Sequence, residues 1–320
     1  MKVLLFHPSH LPPRDYGGVE RVVLWLARGL VERGHEVWVA AFAGSRLPPG
    51  VKLWETPRDD TGAGRLLKSS PPGIDVVHFM APPGDDVERA LKIPFITTIH
   101  GNGRPGEVFS RHSVFLSKDH ARRHGSTVFV HNGIDPAEGR PARAVPRGPR
   151  FLFLSKTSWG VKNVRGAARY CRRAGVPLTI AGGGRPYGLR ARAWLASHLG
   201  QGGLTWTGPV AGEAKAELLA GARALVFPVL WPEPFGLVVV EALMAGTPVL
   251  ARPVGSLPEL VTPEVGKLLD TEEEWVEFLA ANRIPWDAEA CRRHAETHFH
   301  YRMMAEAYEA LYLRAGDLSP

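Results

Sequence analysis

Short apolar runs alternate with amphipathic helical patterns along this entire chain, and few architectures accept that order. "KVLLF" (2–6) precedes "VERVVLWLARGLVERG" (19–34), in which Val19, Val22, Val23, Leu26 and Leu30 recur at helical spacing and Gly34 closes the pattern. "EVWVAAF", "VKLWE", "DVVHFM", "PFITTIH", "SVFLS" and "TVFVHNG" follow in turn. Strands that are apolar throughout must be buried on both faces. Separated by helices, they predict a parallel sheet covered on each side. The interval "DPAEGRPARAVPRGPR" (135–150) has no apolar periodicity and is dense in Pro, Gly, Ala and Arg, which reads as a linker. The pattern then restarts with "RFLFLSK", "PLTIAGGG", "LTWTGPV", "ARALVFPV", "TPVLARP" and "GKLLD".

The fold class expected is therefore α/β, with two Rossmann-like, doubly wound parallel-sheet domains in tandem. The first covers residues 1–140 and the second 141–298. A last stretch, "FHYRMMAEAYEALYLRA" (299–315), reads as one long helix with Tyr301, Met304, Ala305, Tyr308, Leu311 and Tyr312 on one side. Ligands of open parallel sheets bind outside the carboxyl ends of the strands. Two such domains facing one another would form a cleft. The residues to inspect are then His7 to Gly18, His100 to Gly103, Asn132, Lys156 to Lys162, Gly182 to Gly184, Gly208 to Val210, and Pro228 to Gly236.

Composition narrows the classes. A chain of 320 residues, 44% hydrophobic and 22% charged, can build two ordinary cores. No run approaches the roughly 20 apolar residues of a membrane span. The opening "MKVLLFHPSH" is too short in its apolar part for a secretory signal and reads as a first buried strand. Cys171 and Cys291 are the only cysteines, which rules out a disulfide framework, and a cytoplasmic protein is the expectation. The formal charge of +7 implies an anionic partner: nucleic acid, a membrane surface met peripherally, or a phosphorylated small molecule. Clusters such as "RGAARYCRR" (165–173) read as solvated helix faces. The aromatics are not interleaved with them as a single-strand groove would need, so nucleic acid is not the expected partner.

One segment carries chemistry. "EPFGLVVVEALMAGTPVL" (233–250) places Glu233 and Glu241 eight positions apart across an apolar run. Helix-forming Ala242 to Ala245, then Gly246 and Pro248, mark a helix end, so Glu233 sits on a loop and a helix from about Gly236 carries Glu241. The open N–H groups at Gly236 and Leu237, with the positive helix end, suit a phosphate. A carboxylate suits vicinal hydroxyls, such as those of a ribose or a second sugar, and together the features fit a nucleotide-sugar. An exposed loop acid and a salt-bridged helix acid would account for the same spacing.

Here the chain resembles the family 4 retaining glycosyltransferases (glycosyl transferases group 1). "EPFGLVVVEALMAGTPVLARPVGSLPELV" is similar to their signature: two Glu separated by seven residues, Phe-Gly-Leu after the first, then Gly-Thr-Pro-Val and a Gly-x-x-x-Glu loop. "GGVERVVLWLARGLVERGHEV", "VHNGID", "LTIAGGG" and "LTWTGPV" match further stations in order. The resemblance implies a GT-B architecture, with residues 299–320 crossing back to pack on the first domain. It also implies metal-free transfer of a sugar, with retained anomeric configuration, from a UDP-, GDP- or ADP-sugar to an unidentified acceptor hydroxyl. No cofactor beyond that substrate is expected.

By the resemblance, Glu241 binds the donor ribose, while Glu233 with Phe235, Gly236 and Leu237 holds the donor sugar. Gly17 and Gly18 bring backbone close to the diphosphate, and Gly182 and Val210 complete the donor-binding set. His100 stands near the donor sugar, followed by Gly101 where the family often has Asp. Lys156 and Lys162 take the places of an Arg and a Lys that neutralise the leaving diphosphate, with one extra residue between them and Asn163 in place of Gly. Lys is a point charge and cannot grip two oxygens as a guanidinium does.

Other patterns carry less. "HARRH" (120–124) and "HAETH" (294–298) have the i, i+4 spacing of a helical zinc site but neither the following Glu nor an evident third ligand, so no metal is expected. "GGGRPYG" (182–188) misses the dinucleotide spacing. Two alternative functions stay open: an isomerase resembling the nucleotide-sugar 2-epimerases, and a non-catalytic binder of nucleotide-sugar or nucleic acid.

Overall fold

The computed structural model describes residues 1–13, 17–59, 61–104, 106–183 and 203–316. It contains two six-stranded sheets, each built from the apolar runs that the sequence marks. The first joins β1 (Lys2–Phe6), β2 (Glu36–Ala41), β3 (Val51–Glu55), β4 (Val76–Phe79), β5 (Phe95–Thr98) and β6 (Ser113–Val114) in the order β3-β2-β1-β4-β5-β6. The second joins β7 (Phe151–Leu154), β8 (Leu178–Ala181), β9 (Leu204–Gly208), β10 (Leu225–Phe227), β11 (Val249–Ala251) and β12 (Gly266–Leu268) in the order β12-β11-β10-β7-β8-β9. Every neighbouring pair is parallel. Counted within its own sheet, each order is 3-2-1-4-5-6, the doubly wound arrangement. Its strand order reverses between β1 and β4 in one sheet and between β7 and β10 in the other.

The chain divides into two compact units, Met1–Ile134 with Phe299–Pro320, and Asp135–His298. In the first, Leu4, Phe6, Val77, Phe79 and Phe95 form a core on one face of the sheet. In the second, Phe151, Phe153, Ile180, Val226, Leu250 and Trp275 do so. The central strands β4, β5, β7 and β8 are buried at every residue, as their uninterrupted apolar runs require.

Three expectations need correction. "TVFVHNG" adds no named strand and contributes a single bridge from Phe129 to Phe115. The stretch read as a linker is part of the second unit. Asp135 caps a short Pro136–Gly139 helix by accepting from the Ala137 N–H at 3.0 Å, Arg140 pairs with Glu296, and Arg147 donates to the carbonyls of Trp286 and Gly246. Apolar periodicity cannot reveal a segment held by arginines on carbonyls and carboxylates. Finally, the C-terminal helix is not continuous over 299–315. One helix ends at Phe299, His300 adopts extended backbone, and its ring caps a new helix, Tyr301–Ala315.

That last helix belongs to the first unit and lies against the Gly18–Glu32 helix. The approach is close because small residues face each other: a Cβ on Gly29 would come within 2.7 Å of the Ala305 Cβ. Glu32 accepts from Tyr301 and Arg302, and Glu309 pairs with His35 and Arg33. The apolar seam contains a polar chain. His78 on β4 shares hydrogen bonds with Tyr312 (2.8 Å) and Thr98 (2.6 Å), and Thr98 with Tyr308 (2.7 Å). All four side chains are buried, so satisfying one another is what makes them tolerable there. Burial lowers the His78 pKa to about 3, so the ring is neutral at physiological pH.

Candidate functional site

The second unit's reversal point positions most of the predicted site. β7 is followed by Lys156 and a short turn of helix, Gly160–Lys162, and β10 by the loop from Pro228 to Gly236. Asn163 locks these two segments together. It takes a left-handed backbone at φ 57°, its Oδ1 accepts from the Gly166 N–H, and its Nδ2 donates to the Pro228 carbonyl at 2.9 Å. The Leu230 N–H also donates to the Val161 carbonyl at 2.8 Å. Asn tolerates the left-handed region better than most residues, so it does here what Gly does elsewhere, with a cap added.

Glu233 is not the exposed loop acid that spacing alone would allow, for only 7% of it is accessible. Its Oε2 accepts from Lys162 Nζ at 2.6 Å and from the Trp231 indole N–H at 2.5 Å. Lys162 is 8% accessible and its ammonium also lies 5.0 Å from the Trp231 ring centroid and 5.6 Å from that of Phe227. The backbone around Glu233 is fixed from behind: the Ser256 N–H donates to the Glu233 carbonyl and the Ser256 hydroxyl to that of Phe235. Gly255 makes this approach feasible at φ 60°, since a Cβ there would sit 2.4 Å from the Glu233 nitrogen.

Gly236, in left-handed backbone at φ 94°, precedes a helix at Leu237–Met244. The Val239 N–H is taken by the Gly236 carbonyl. Glu241 lies on this helix, buried, with Oε1 2.7 Å from Lys215 Nζ of the Gly212–Ala220 helix. It is therefore a salt-bridged helix acid, and both partners of the bridge are under a tenth accessible. Two carboxylate–lysine pairs thus stand at the ends of the segment 233–241. Burying either sign alone would cost several kcal/mol, and each acid brings its own counterion.

The remaining predicted residues divide between the units. Lys156 is exposed, with its ammonium 4.5 Å from the Trp159 ring centroid. Trp159, 44% accessible, meets Trp231 edge-on at 5.9 Å. Gly182 ends β8 at φ 134°, where a Cβ would lie 1.8 Å from the Ser155 carbonyl oxygen, so this glycine is demanded by the close passage of the loop after β7. Val210 is half-buried on the segment after β9, and Gly184 lies outside the described residues.

In the first unit, Gly17 is extended and Gly18 opens the first helix; a Cβ on Gly17 would collide with Pro13 and Glu20. His100 follows β5, and its Nε2 is buried without a hydrogen-bond partner among the described residues. Its pKa is lowered to about 3, chiefly by burial and further by the neighbouring His7 and His120 rings. His120 is buried as well and bonds through Nε2 to the Gly101 carbonyl at 3.1 Å. His294 likewise bonds to the Leu260 carbonyl at 3.1 Å. No group of metal-ligating side chains is present among the described residues.

Sequence reasoning passed over Lys215 and Trp231. A signal existed for each: Lys215 adjoins the buried stripe Ala216, Leu219 and Ala220, and Trp231 lies two residues before the first acid.

Known proteins resemble this chain in both sequence and fold. Residues 144–282 match the family model for glycosyl transferases group 1, and residues 16–124 match that for Glycosyltransferase Family 4. The structure of AviGT4, a glycosyltransferase involved in avilamycin A biosynthesis, superimposes with a TM-score of 0.79 at 26% identity, covering 98% of this chain and 97% of that one. The Anabaena Alr3699/HepE structure, in complex with UDP and glucose, has a TM-score of 0.69 at 16% identity over 97% of this chain and 99% of that one, a likeness of fold. The "Uncharacterized glycosyltransferase MJ1607" of Methanocaldococcus jannaschii is 26% identical, over 86% of this chain and 85% of its own length. A D-inositol 3-phosphate glycosyltransferase of Mycobacterium bovis is 32% identical over 58% of this chain, which spans less than half, 43%, of that protein. The two doubly wound sheets and these matches define a glycosyltransferase of GT-B fold. The chain belongs to the family 4, glycosyl transferases group 1, type. Among the described residues, no helix is long and apolar enough to cross a membrane.

Proposed function

We propose that the protein transfers a sugar from a nucleoside diphosphate sugar to an acceptor hydroxyl, with retention of anomeric configuration and without a metal. The observation that carries this reading is the pair of buried carboxylate–lysine couples on either side of the Leu237 helix start. A nucleotide-sugar presents hydroxyls, then phosphates, then hydroxyls, and this segment offers acid, helix N-terminus and acid in the same order.

Glu241 accepts from the ribose hydroxyls. Glu233, with the backbone of Phe235 to Leu237, accepts from those of the transferred sugar. Lys162, helped by exposed Lys156, exchanges its carboxylate partner for the diphosphate as the leaving group gains charge, and the open amides at the helix start share that load. The departing diphosphate receives the acceptor's proton, and the new bond forms on the face it vacates. His100 remains assigned to the donor sugar and Gly17–Gly18 to the diphosphate, while Gly182 and Val210 stay in the donor set. UDP is the first nucleotide to try, because the HepE structures hold it.

The test is incubation with UDP-, GDP- and ADP-sugars, in the presence and absence of a chelator. Slow donor hydrolysis that survives chelation, and a product of unchanged anomeric configuration once an acceptor is found, support the reading. Interconversion of donors would instead identify an epimerase, and silence toward all donors, with oligonucleotide binding, a nucleic-acid protein.

A further inference from the structure

From the geometry around Glu233 we infer that Trp231 is a positioning residue that keeps this carboxylate in place when Lys162 turns to the donor diphosphate. The inference rests on the roles proposed above for Glu233 and Lys162. Both hydrogen bonds to Glu233 fall on the same oxygen, Oε2, one from the Lys162 ammonium at 2.6 Å and one from the Trp231 indole N–H at 2.5 Å. Oε1 has no hydrogen bond among the described residues and is the oxygen left to accept from a sugar. The same tryptophan carries the Lys162 ammonium 5.0 Å from its ring centroid, so one side chain touches both members of the pair.

The two donors differ in what a phosphate does to them. An ammonium on a flexible four-carbon stem is drawn to a dianion and can leave its partner. The indole N–H has no charge to be drawn, and its ring packs in a T-shaped contact with Trp159 at 5.9 Å. When Lys162 departs, Glu233 would be a buried carboxylate without a cation, free to rotate toward water. The indole N–H prevents that rotation and fixes which oxygen faces the sugar. Because the lysine–phosphate contact strengthens as the leaving group gains charge, the demand on Trp231 is greatest in the transition state.

Trp231→Phe keeps an aromatic ring beside Lys162 and removes the N–H together with part of the ring, and a second background separates the two losses. Donor hydrolysis measured at saturating donor should fall about ten- to a hundred-fold in kcat with KM for donor changed little, the loss expected for a hydrogen bond to a charged group. In a Glu233→Gln background the same substitution should cost several-fold less than in wild type, because only a neutral hydrogen bond is left to lose. A merely structural tryptophan would cost the same in both backgrounds, and that result overturns the inference. So does a Trp231→Phe enzyme with wild-type kcat.

If Trp231→Phe does not fold, 15N-indole spectra of the intact enzyme decide. Glu233→Gln should move one tryptophan N–H resonance upfield, and saturating UDP should leave that N–H protected from deuterium exchange in the wild type. Loss of protection on adding UDP would show that the indole lets go together with Lys162, and would refute the idea. Wild-type enzyme inert toward every donor would remove the functional reading beneath it, whereas active wild type with an unmoved Trp231→Phe removes the inference alone.

Discussion

Breaking the Lys215–Glu241 pair provides a quantitative test of the site. Both side chains are under a tenth accessible and their charged atoms are 2.7 Å apart. Lys215→Met keeps the length of the stem and removes the cation, leaving a buried carboxylate without its counterion. Removing one partner of a buried pair costs about 3–5 kcal/mol, and Glu241→Leu should cost the same for the opposite reason. The double variant Lys215→Met/Glu241→Leu buries no charge and should lie within about 1 kcal/mol of wild type. The coupling energy in this cycle is then about as large as the two single losses together and opposite in sign. Because the chain has two compact units, one melting midpoint does not report one equilibrium. The assay is native-state hydrogen exchange at the amides of Leu237–Met244, whose opening free energy reads the second unit directly. Single losses that simply add in the double variant would show that the two charges do not stabilise each other, and the reasoning about paired burial would fail.

Three further outcomes follow from the geometry. Lys162→Ala should weaken UDP binding by about 1.5–3 kcal/mol while leaving uridine binding nearly unchanged, as measured by calorimetry; equal losses would return Lys162 to a structural role. The first unit should lose stability in acid. His78 and His100 are held to a pKa of about 3 and His120 to about 4, below the ordinary 6.5, so the unfolded chain takes up protons before the folded one. Their contribution is complete above about pH 6.5 and falls toward pH 4 by up to about 4 kcal/mol per pH unit, three protons at once; a flat denaturation profile between pH 7.5 and 5 would contradict it. Gly182→Ala should destabilise the second unit by about 3 kcal/mol, since its Cβ would meet the Ser155 carbonyl, whereas Gly160→Ala, with open space around it, should be silent in the same exchange assay.

The fold was legible because its information is one-dimensional. Strands buried on both faces must be largely apolar, as β4, β5, β7 and β8 are, and twelve of the thirteen short runs marked in the sequence form the strands of the two sheets. The parts that stayed hidden depend on partners distant in sequence. Nothing local announces that Arg147 will reach the carbonyls of Trp286 and Gly246, so a segment without periodicity read as a linker. The break at His300 is a capping event between two helical stretches, with no Gly or Pro to mark it. The site divides the same way. Glu233, Gly236 and Glu241 were visible because they share one segment, but their counterions lie 71 and 26 residues away. His78 resembled any strand residue until Tyr312 of the last helix and Thr98 of β5 gave its ring two hydrogen-bond partners.

The pairing of acids with lysines has a consequence for affinity that separates binding from turnover. A site that must receive both hydroxyls and phosphates needs both signs of charge in a buried place. Without ligand those charges satisfy each other. On the roles proposed above, donor binding requires Lys162 to leave Glu233, so part of the phosphate interaction is spent on rupturing a 2.6 Å ion pair. Glu233→Gln removes that opposition, since an amide holds an ammonium less firmly than a carboxylate does, and Trp231 can still donate to the amide oxygen. UDP, which lacks the sugar, should therefore bind Glu233→Gln at least as tightly as wild type, and by up to about ten-fold more tightly if roughly 1.4 kcal/mol of the rupture is recovered. Turnover of the intact donor should nevertheless fall, because the charge facing the flattening sugar ring is gone. Calorimetry with UDP and donor hydrolysis on the same preparation would read both quantities. Weaker UDP binding together with unchanged turnover would mean that Glu233 does not oppose Lys162 and does not face the reacting sugar.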